Sequence, residues 1–143
     1  MPHLHSGSLT RLARLFTLAA GLMDFMTGLG LVFFPAQLLP LMRVPVPTAD
    51  SLVFFRFVGA FVAAVGATYL WAWSRRDTAH LRFVFAFTIP FRFAAGTYSA
   101  AAIFLNWLPP AWISVPLTDL ALVAAQLWLL RQPHLWSDEN PRA

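Results

Sequence analysis

Four stretches of this sequence are long enough and apolar enough to cross a lipid bilayer, and they constrain the fold more than any other feature. They cover about residues 14–34, 51–73, 82–106 and 112–130. A helix of about 20 residues crosses a hydrocarbon core of roughly 30 Å. Because lipid offers no hydrogen-bond partners, such segments must satisfy their own backbone groups. The sequence therefore predicts an all-α, four-transmembrane-helix bundle. It forms one membrane domain over residues 1–143, with a polar tail at 131–143.

The composition agrees with a lipid environment, since 59% of the residues are hydrophobic and only 11% are charged. The mean hydropathy of +0.65 is outside the usual range for a soluble domain of this length. The absence of cysteine excludes disulfides, thiolate metal sites and cysteine nucleophiles. His3, His5, His80 and His134 lie outside the apolar stretches, where they cannot hold a haem or metal inside a bundle. We therefore expect no catalytic residue, metal or cofactor, although contact with a quinone or pigment stays open.

The arginines predict how the chain is oriented in the membrane. Six of them flank one side of the predicted bundle, and the opposite loops carry only Arg43; the six are Arg11, Arg14, Arg75, Arg76, Arg82 and Arg131. Basic residues concentrate on the cytoplasmic side of membrane proteins, so both termini should be cytoplasmic. They form no basic stripe with exposed aromatics, so we expect no nucleic-acid partner. The use of arginine without lysine indicates a bacterial source, hence a multi-pass protein of the cell inner membrane.

The basic N-terminus followed by an apolar run could also be a signal peptide. The run at 14–34 is longer than the apolar part of a signal peptide and ends at a proline, Pro35. No clear cleavage site with small residues follows it. We therefore expect it to be the first membrane span.

Four ionisable residues lie deep in the apolar stretches and are the candidate functional residues: Asp24, Arg56, Arg92 and Asp119. A charge near the bilayer centre costs about 2.5–3.5 kcal/mol on insertion scales, so such residues mark a functional site by default. Three of the four share a helix face with glycine, alanine or serine, and membrane helices approach one another along faces of small residues. We expect all four to point into the bundle and form a buried ion-pair set or a polar pocket.

The depths of these residues, counted from the outer helix ends, allow two ion pairs. They are roughly 8 Å for Arg56, 10 Å for Asp119, 15 Å for Asp24 and 20 Å for Arg92. The preferred pairing joins Asp24 to Arg92 and Asp119 to Arg56, and the swapped pairing stays open. The pairs could fix the helix arrangement only, or they could line a polar pocket or a proton path.

Two further patterns concern helix faces. Gly21 and Gly28 are seven residues apart, as are Gly59 and Gly66, and this spacing favours close helix packing over an internal duplication. Phe83, Phe87 and Phe91 follow one another at intervals of four and so share one side of the third span. They are candidate aromatics for docking against a partner subunit or a second copy of the chain.

The sequence Arg56-Phe57-Val58-Gly59, followed by Gly66 and by Asp119 in the last span, resembles the DoxX-like group of small four-helix bacterial membrane proteins. The resemblance implies a compact bundle with cytoplasmic termini. It also implies a group in which some members are similar to membrane subunits of quinone-linked oxidoreductases. No catalytic residue carries over from it.

The sequence alone thus favours a non-catalytic small integral membrane protein. It would be an accessory or structural subunit of a larger membrane complex, with a buried Asp/Arg ion-pair network. One alternative is a proton-coupled small-molecule transporter that uses Asp24. Another, implied by the resemblance, is a membrane subunit of a quinone-linked oxidoreductase. The expected partners are the lipid bilayer and other membrane subunits or a second copy of the chain.

Overall fold

The computed structural model describes residues 3–136, and within that range the regular structure is helical. The all-α class is therefore confirmed. The elements are α1 (His3–Phe33), α2 (Pro35–Leu41), α3 (Ala49–Ser74), α4 (Thr78–Phe104), a 3₁₀ turn (Pro110–Ile113), α5 (Ser114–Leu130) and α6 (Pro133–Trp136).

Three segments are long and apolar enough to cross a membrane: Gly7–Phe33, Ala49–Ser74 and Pro110–Leu130. They indicate a multi-pass membrane protein. The helix α4 has 27 residues, and at about 1.5 Å per residue it could also cross a bilayer. Its arginines, threonines and serine lower its hydropathy, and it is not among the three. The fourth predicted span therefore stays a prediction.

The helices α1 and α3 pack against each other along most of their length because glycines let their backbones touch. A Cβ added to Gly28 would lie 2.3 Å from the backbone nitrogen of Ala63, and one added to Gly66 would lie 2.3 Å from that of Phe25. Gly28 faces Gly59 while Gly21 faces Gly66, so the helices run antiparallel. The two glycine pairs seen in the sequence are thus a helix-packing device.

The helix α4 begins at Thr78, earlier than the predicted residue 82, because Asp77 caps it. The Asp77 carboxylate accepts a hydrogen bond from the backbone nitrogen of His80 at 2.9 Å and lies 2.6 Å from the Nδ1 atom of the same residue. The backbone N–H and then the ring of His80 lower the pKa of Asp77 below its usual value. The water-facing connection between α3 and α4 is therefore only three residues long.

The tail that the sequence presents as polar is partly buried. Leu135 and Trp136 are 1% and 7% exposed. The Trp136 ring packs edge-on against Phe85 with 6.3 Å between centroids, and its Nε1 donates to the carbonyl of Leu129 at 3.2 Å. These two apolar residues of the predicted tail thus close the arginine-rich end of the bundle. Residues 137–143 of the tail lie outside the described range.

Candidate functional site: a buried polar cluster

Polar side chains from four different helices meet in the interior of the bundle. We call this set the polar cluster. It lies between two hydrophobic clusters, one at each end of the helices. Its members are Asp24 of α1, Tyr69 of α3, Thr88 and Arg92 of α4, and Asp119 and Gln126 of α5. Arg92 is 4% exposed, so water contributes little to solvating its charge.

The Arg92 guanidinium is the centre of this cluster. Its Nη1 donates to Oδ1 of Asp119 at 2.9 Å, and its Nη2 donates to Oδ2 of Asp24. Its Nε donates to the hydroxyl oxygen of Tyr69 at 3.1 Å. All three nitrogens are thus engaged, each with a different helix. A planar guanidinium suits this role because its donors point in fixed, diverging directions.

The hydrogen atoms of the neighbouring network can be assigned from chemistry. The Val84 carbonyl can only accept, so the Thr88 hydroxyl, 2.7 Å away, donates to it. Thr88 must then accept from the Tyr69 hydroxyl at 2.7 Å. The Gln126 amide nitrogen has two hydrogens, one for Thr88 at 2.8 Å and one for Tyr69. If the Gln126 amide were flipped, only the two hydroxyl hydrogens of Thr88 and Tyr69 would remain to serve these four contacts. The hydrogen-bond network therefore determines the orientation of the amide.

This orientation leaves one acceptor without a donor. Gln126 is fully buried, and its Oε1 atom has no hydrogen-bond partner among the described residues. Buried polar atoms are nearly always hydrogen-bonded, so an unpaired one is unusual. The polar cluster is therefore rich in acceptors: it has two carboxylates for one guanidinium, and a free amide oxygen.

Arg56 does not join the cluster, and the predicted pairing of Arg56 with Asp119 was wrong. Its side chain is exposed on the surface of α3, and within residues 3–136 it forms no ion pair. The reason is the helix rotation. Tyr69, which faces the cluster, is thirteen residues further along α3, which places the two side chains roughly 140° apart at 3.6 residues per turn. Asp119 therefore forms an ion pair with Arg92, which also pairs with Asp24 as predicted.

The aromatic stripe of α4, defined as Phe83, Phe87 and Phe91, lies on the outside of the bundle. The three side chains are 60%, 47% and 54% exposed. Phe83 stacks on Phe87 with 5.6 Å between ring centroids, and Phe87 lies 5.3 Å from Phe91. The stripe is thus a continuous exposed surface, and its role in docking a partner stays a prediction.

Sequence reasoning missed Tyr69 and Thr88 as members of the site. A usable signal was present for Thr88, which precedes Arg92 by four residues and so shares its helix face. Tyr69 follows Gly66 by three residues on the face turned towards α1, and its hydroxyl group needs a partner when buried. Gln126, two turns after Asp119, was recognised only as a neighbour on the same face.

The arrangement provides ion pairing and hydrogen bonding. Within residues 3–136, no group of three or more His, Cys, Asp or Glu side chains could hold a metal ion. Comparisons with protein-family models, with curated proteins and with solved structures find no match. The resemblance to DoxX-like proteins therefore rests on the arginine and glycine pattern alone and stays a prediction.

Proposed function

We propose that this chain is a non-catalytic, four-span integral membrane protein that serves as an accessory or structural subunit of a larger membrane complex. The observation that carries the proposal is the bonding of Arg92. From α4 it reaches one residue of each of the other three long helices. A charge committed in this way specifies how the helices are arranged, which is the best-attested role of buried ion pairs.

The geometry supports α4 as the fourth span. It joins the end of α3 to the start of α5 and contacts both, through Thr88 with Tyr69 and through Gly96 with Leu120. Contacts with both neighbours are what we expect of a helix that crosses the bilayer beside them. Its buried polar residues Thr88 and Arg92 face inward, where side chains of other helices bond to them, and its exposed side includes the aromatic stripe. Four spans and six arginines at one end support cytoplasmic termini and a bacterial inner membrane.

Purification from native membranes in a mild detergent tests the accessory role. We expect the tagged chain to migrate as part of an assembly larger than one chain, with a defined partner. A lone monomer without a partner would contradict the accessory role while leaving the four-span fold intact. An Arg56→Gln variant controls for the loss of a charge in an apolar segment. Arg56 is outside the polar cluster, so its loss should not disturb the fold.

A proton-coupled transporter is the second candidate, and one observation favours it. Two carboxylates share one guanidinium, so the cluster has one negative charge in excess when both are ionised. One added proton on Asp24 or Asp119 would make it neutral, and a site that takes up and releases a proton can couple to transport. Against this role, Asp24 is held by Arg92 and only 7% exposed.

Proton movement in vesicles containing the purified chain separates the two candidates. A substrate-driven proton flux that is abolished by Asp24→Asn, with the fold intact, would support transport. Absence of a flux for all offered cationic substrates would favour the structural role. The quinone-linked oxidoreductase subunit is supported by the resemblance alone, and co-purification of a quinone would be its test.

A further inference from the structure

The turn between α3 and α4 carries two exposed arginines. Arg75 and Arg76 are exposed, and neither has a carboxylate partner within residues 3–136. The acid beside them, Asp77, is occupied by His80 at 2.6 Å. Arg76 also has a φ of 63°, the left-handed conformation that ends α3 and turns the chain sharply into α4. This turn is therefore a compact positive patch.

A shallow, open apolar groove lies next to this patch. It has a volume of about 340 Å³ and is lined by Trp71, Ala79, His80 and Phe83, from both helices. The Arg75 guanidinium lies 5.2 Å from the centre of the Trp71 ring, so its positive charge is next to a residue that lines the groove. The His80 ring packs edge-on against Trp71, with 4.9 Å between centroids. Tryptophans at helix ends mark the headgroup level of a membrane.

The groove continues into the aromatic stripe of α4. Phe83 is shared by both, and the rings of Phe87 and Phe91 extend the apolar surface along the helix towards the depth of Arg92. Eight residues of helix correspond to about 12 Å. A positive patch at the headgroup level and an apolar track below it match the two halves of a phospholipid.

We propose that the α3–α4 turn, the groove and the aromatic stripe together form a binding site for one anionic phospholipid. The headgroup phosphate pairs with Arg75 and Arg76, and an acyl chain lies along Phe83 and Phe87. Arginine suits this role because its guanidinium can bind two phosphate oxygens at once. Anionic lipid is favoured over a zwitterionic one because the latter brings its own cation to the patch.

The site rests on the proposal that α3 and α4 cross a membrane. The membrane proposal and the lipid site can be tested separately. A chain that stays in aqueous buffer without detergent would contradict the membrane proposal itself. A chain that requires detergent but shows no lipid preference would contradict the lipid site alone.

The test is titration of the detergent-solubilised full chain with phosphatidylglycerol or phosphatidylcholine, with retained lipid counted by native mass spectrometry. We expect one phosphatidylglycerol to bind more tightly than phosphatidylcholine. Each surface arginine contributes about a five-fold change in affinity, so Arg75→Gln with Arg76→Gln should weaken phosphatidylglycerol binding by about 25-fold. The matched control is Arg43→Gln, an exposed arginine with the same backbone conformation in another loop (φ 60°).

The acyl track is tested by Phe83→Ala with Phe87→Ala, which should weaken phosphatidylglycerol binding while the exposed control Phe57→Ala does not. Equal binding of the two lipids, or an unchanged affinity in the double arginine variant, would overturn the site. So would competition by inorganic phosphate alone at the same concentration as the lipid. Loss of a protein partner with unchanged lipid binding, on removal of Phe83 and Phe87, would show instead that the stripe is a subunit surface.

Discussion

The contact of α1 with α3 and the polar cluster that joins α4 to its neighbours hold helices together in opposite ways. Along α1 and α3, glycines remove side chains so that backbones pack directly, as at Gly28 and Gly66. In the cluster, long side chains span the gap, and Arg92 alone reaches three helices. In a bilayer the hydrophobic effect does not drive helices together, so packing and hydrogen bonding must. Close packing tolerates no added volume, whereas the cluster tolerates no lost partner.

The largest effect is expected from Arg92→Gln, which leaves the buried Asp24 and the partly buried Asp119 without their cation. Breaking a buried ion pair from one side costs about 3–5 kcal/mol. Denaturant titration in detergent micelles should show this loss in the free energy of unfolding. Arg56→Gln is the control, and we expect it to stay within about 0.5 kcal/mol of the parent chain because Arg56 lies outside the cluster.

Adding Asp24→Asn and Asp119→Asn to the Arg92→Gln chain should restore part of this stability, because no buried charge then remains. If the three substitutions instead lower the free energy of unfolding additively, with no recovery of stability, the ion pairs do not couple the helices.

The glycine contact is tested by Gly66→Ala, whose new methyl group would lie 2.3 Å from the backbone nitrogen of Phe25. Backbone cannot move aside, so α1 and α3 must separate, at a cost of about 2–3 kcal/mol. The same titration measures it. In the control Gly30→Ala the new methyl would meet the side-chain end of Leu38 at 2.9 Å, which can rotate away. Equal losses in both variants would mean that the close approach is not what holds the helices.

Tyr69→Phe removes a single oxygen from the cluster at nearly constant volume. The Arg92 Nε and one hydrogen of Gln126 lose their acceptor, and unpaired buried donors cost about 2 kcal/mol. The free energy of unfolding should fall by that amount. Tyr98→Phe is the matched control, because Tyr98 is 65% exposed and should lose almost nothing.

The smallest effect is expected at Asp77, where a polar contact lies in water instead of in the bundle. Its pKa is lowered in the folded chain, so its stabilisation is present above the pKa of free aspartate, about 3.9, and is lost as the pH falls through the folded value. Melting temperatures of Asp77→Ala should be below those of the parent at pH 7 and converge with them in acid. Asp77→Asn keeps a cap and should lose less. A pH-independent difference would assign the effect to helix propensity.

The sequence determined the helical class, the place of three long apolar segments that could cross a membrane, and the glycines at which α1 and α3 meet. These follow from local quantities, since bilayer thickness dictates segment length and lipid forces each segment to satisfy its own backbone. The small residues on their helix faces also indicated that Asp24 and Arg92 point inward, but the same signal was wrong for Arg56, which is exposed.

The tertiary structure alone decided which groups share Arg92 and that Arg56 takes no part. That choice depends on how each helix is rotated about its axis and where it crosses its neighbours, and a rotation of roughly 140° separates Tyr69 from Arg56 on the same helix. Spacing along one segment shows which residues share a face. It does not show which face of the next helix they meet. Only the packed bundle therefore reveals that two carboxylates share one guanidinium, beside Tyr69, Thr88 and Gln126.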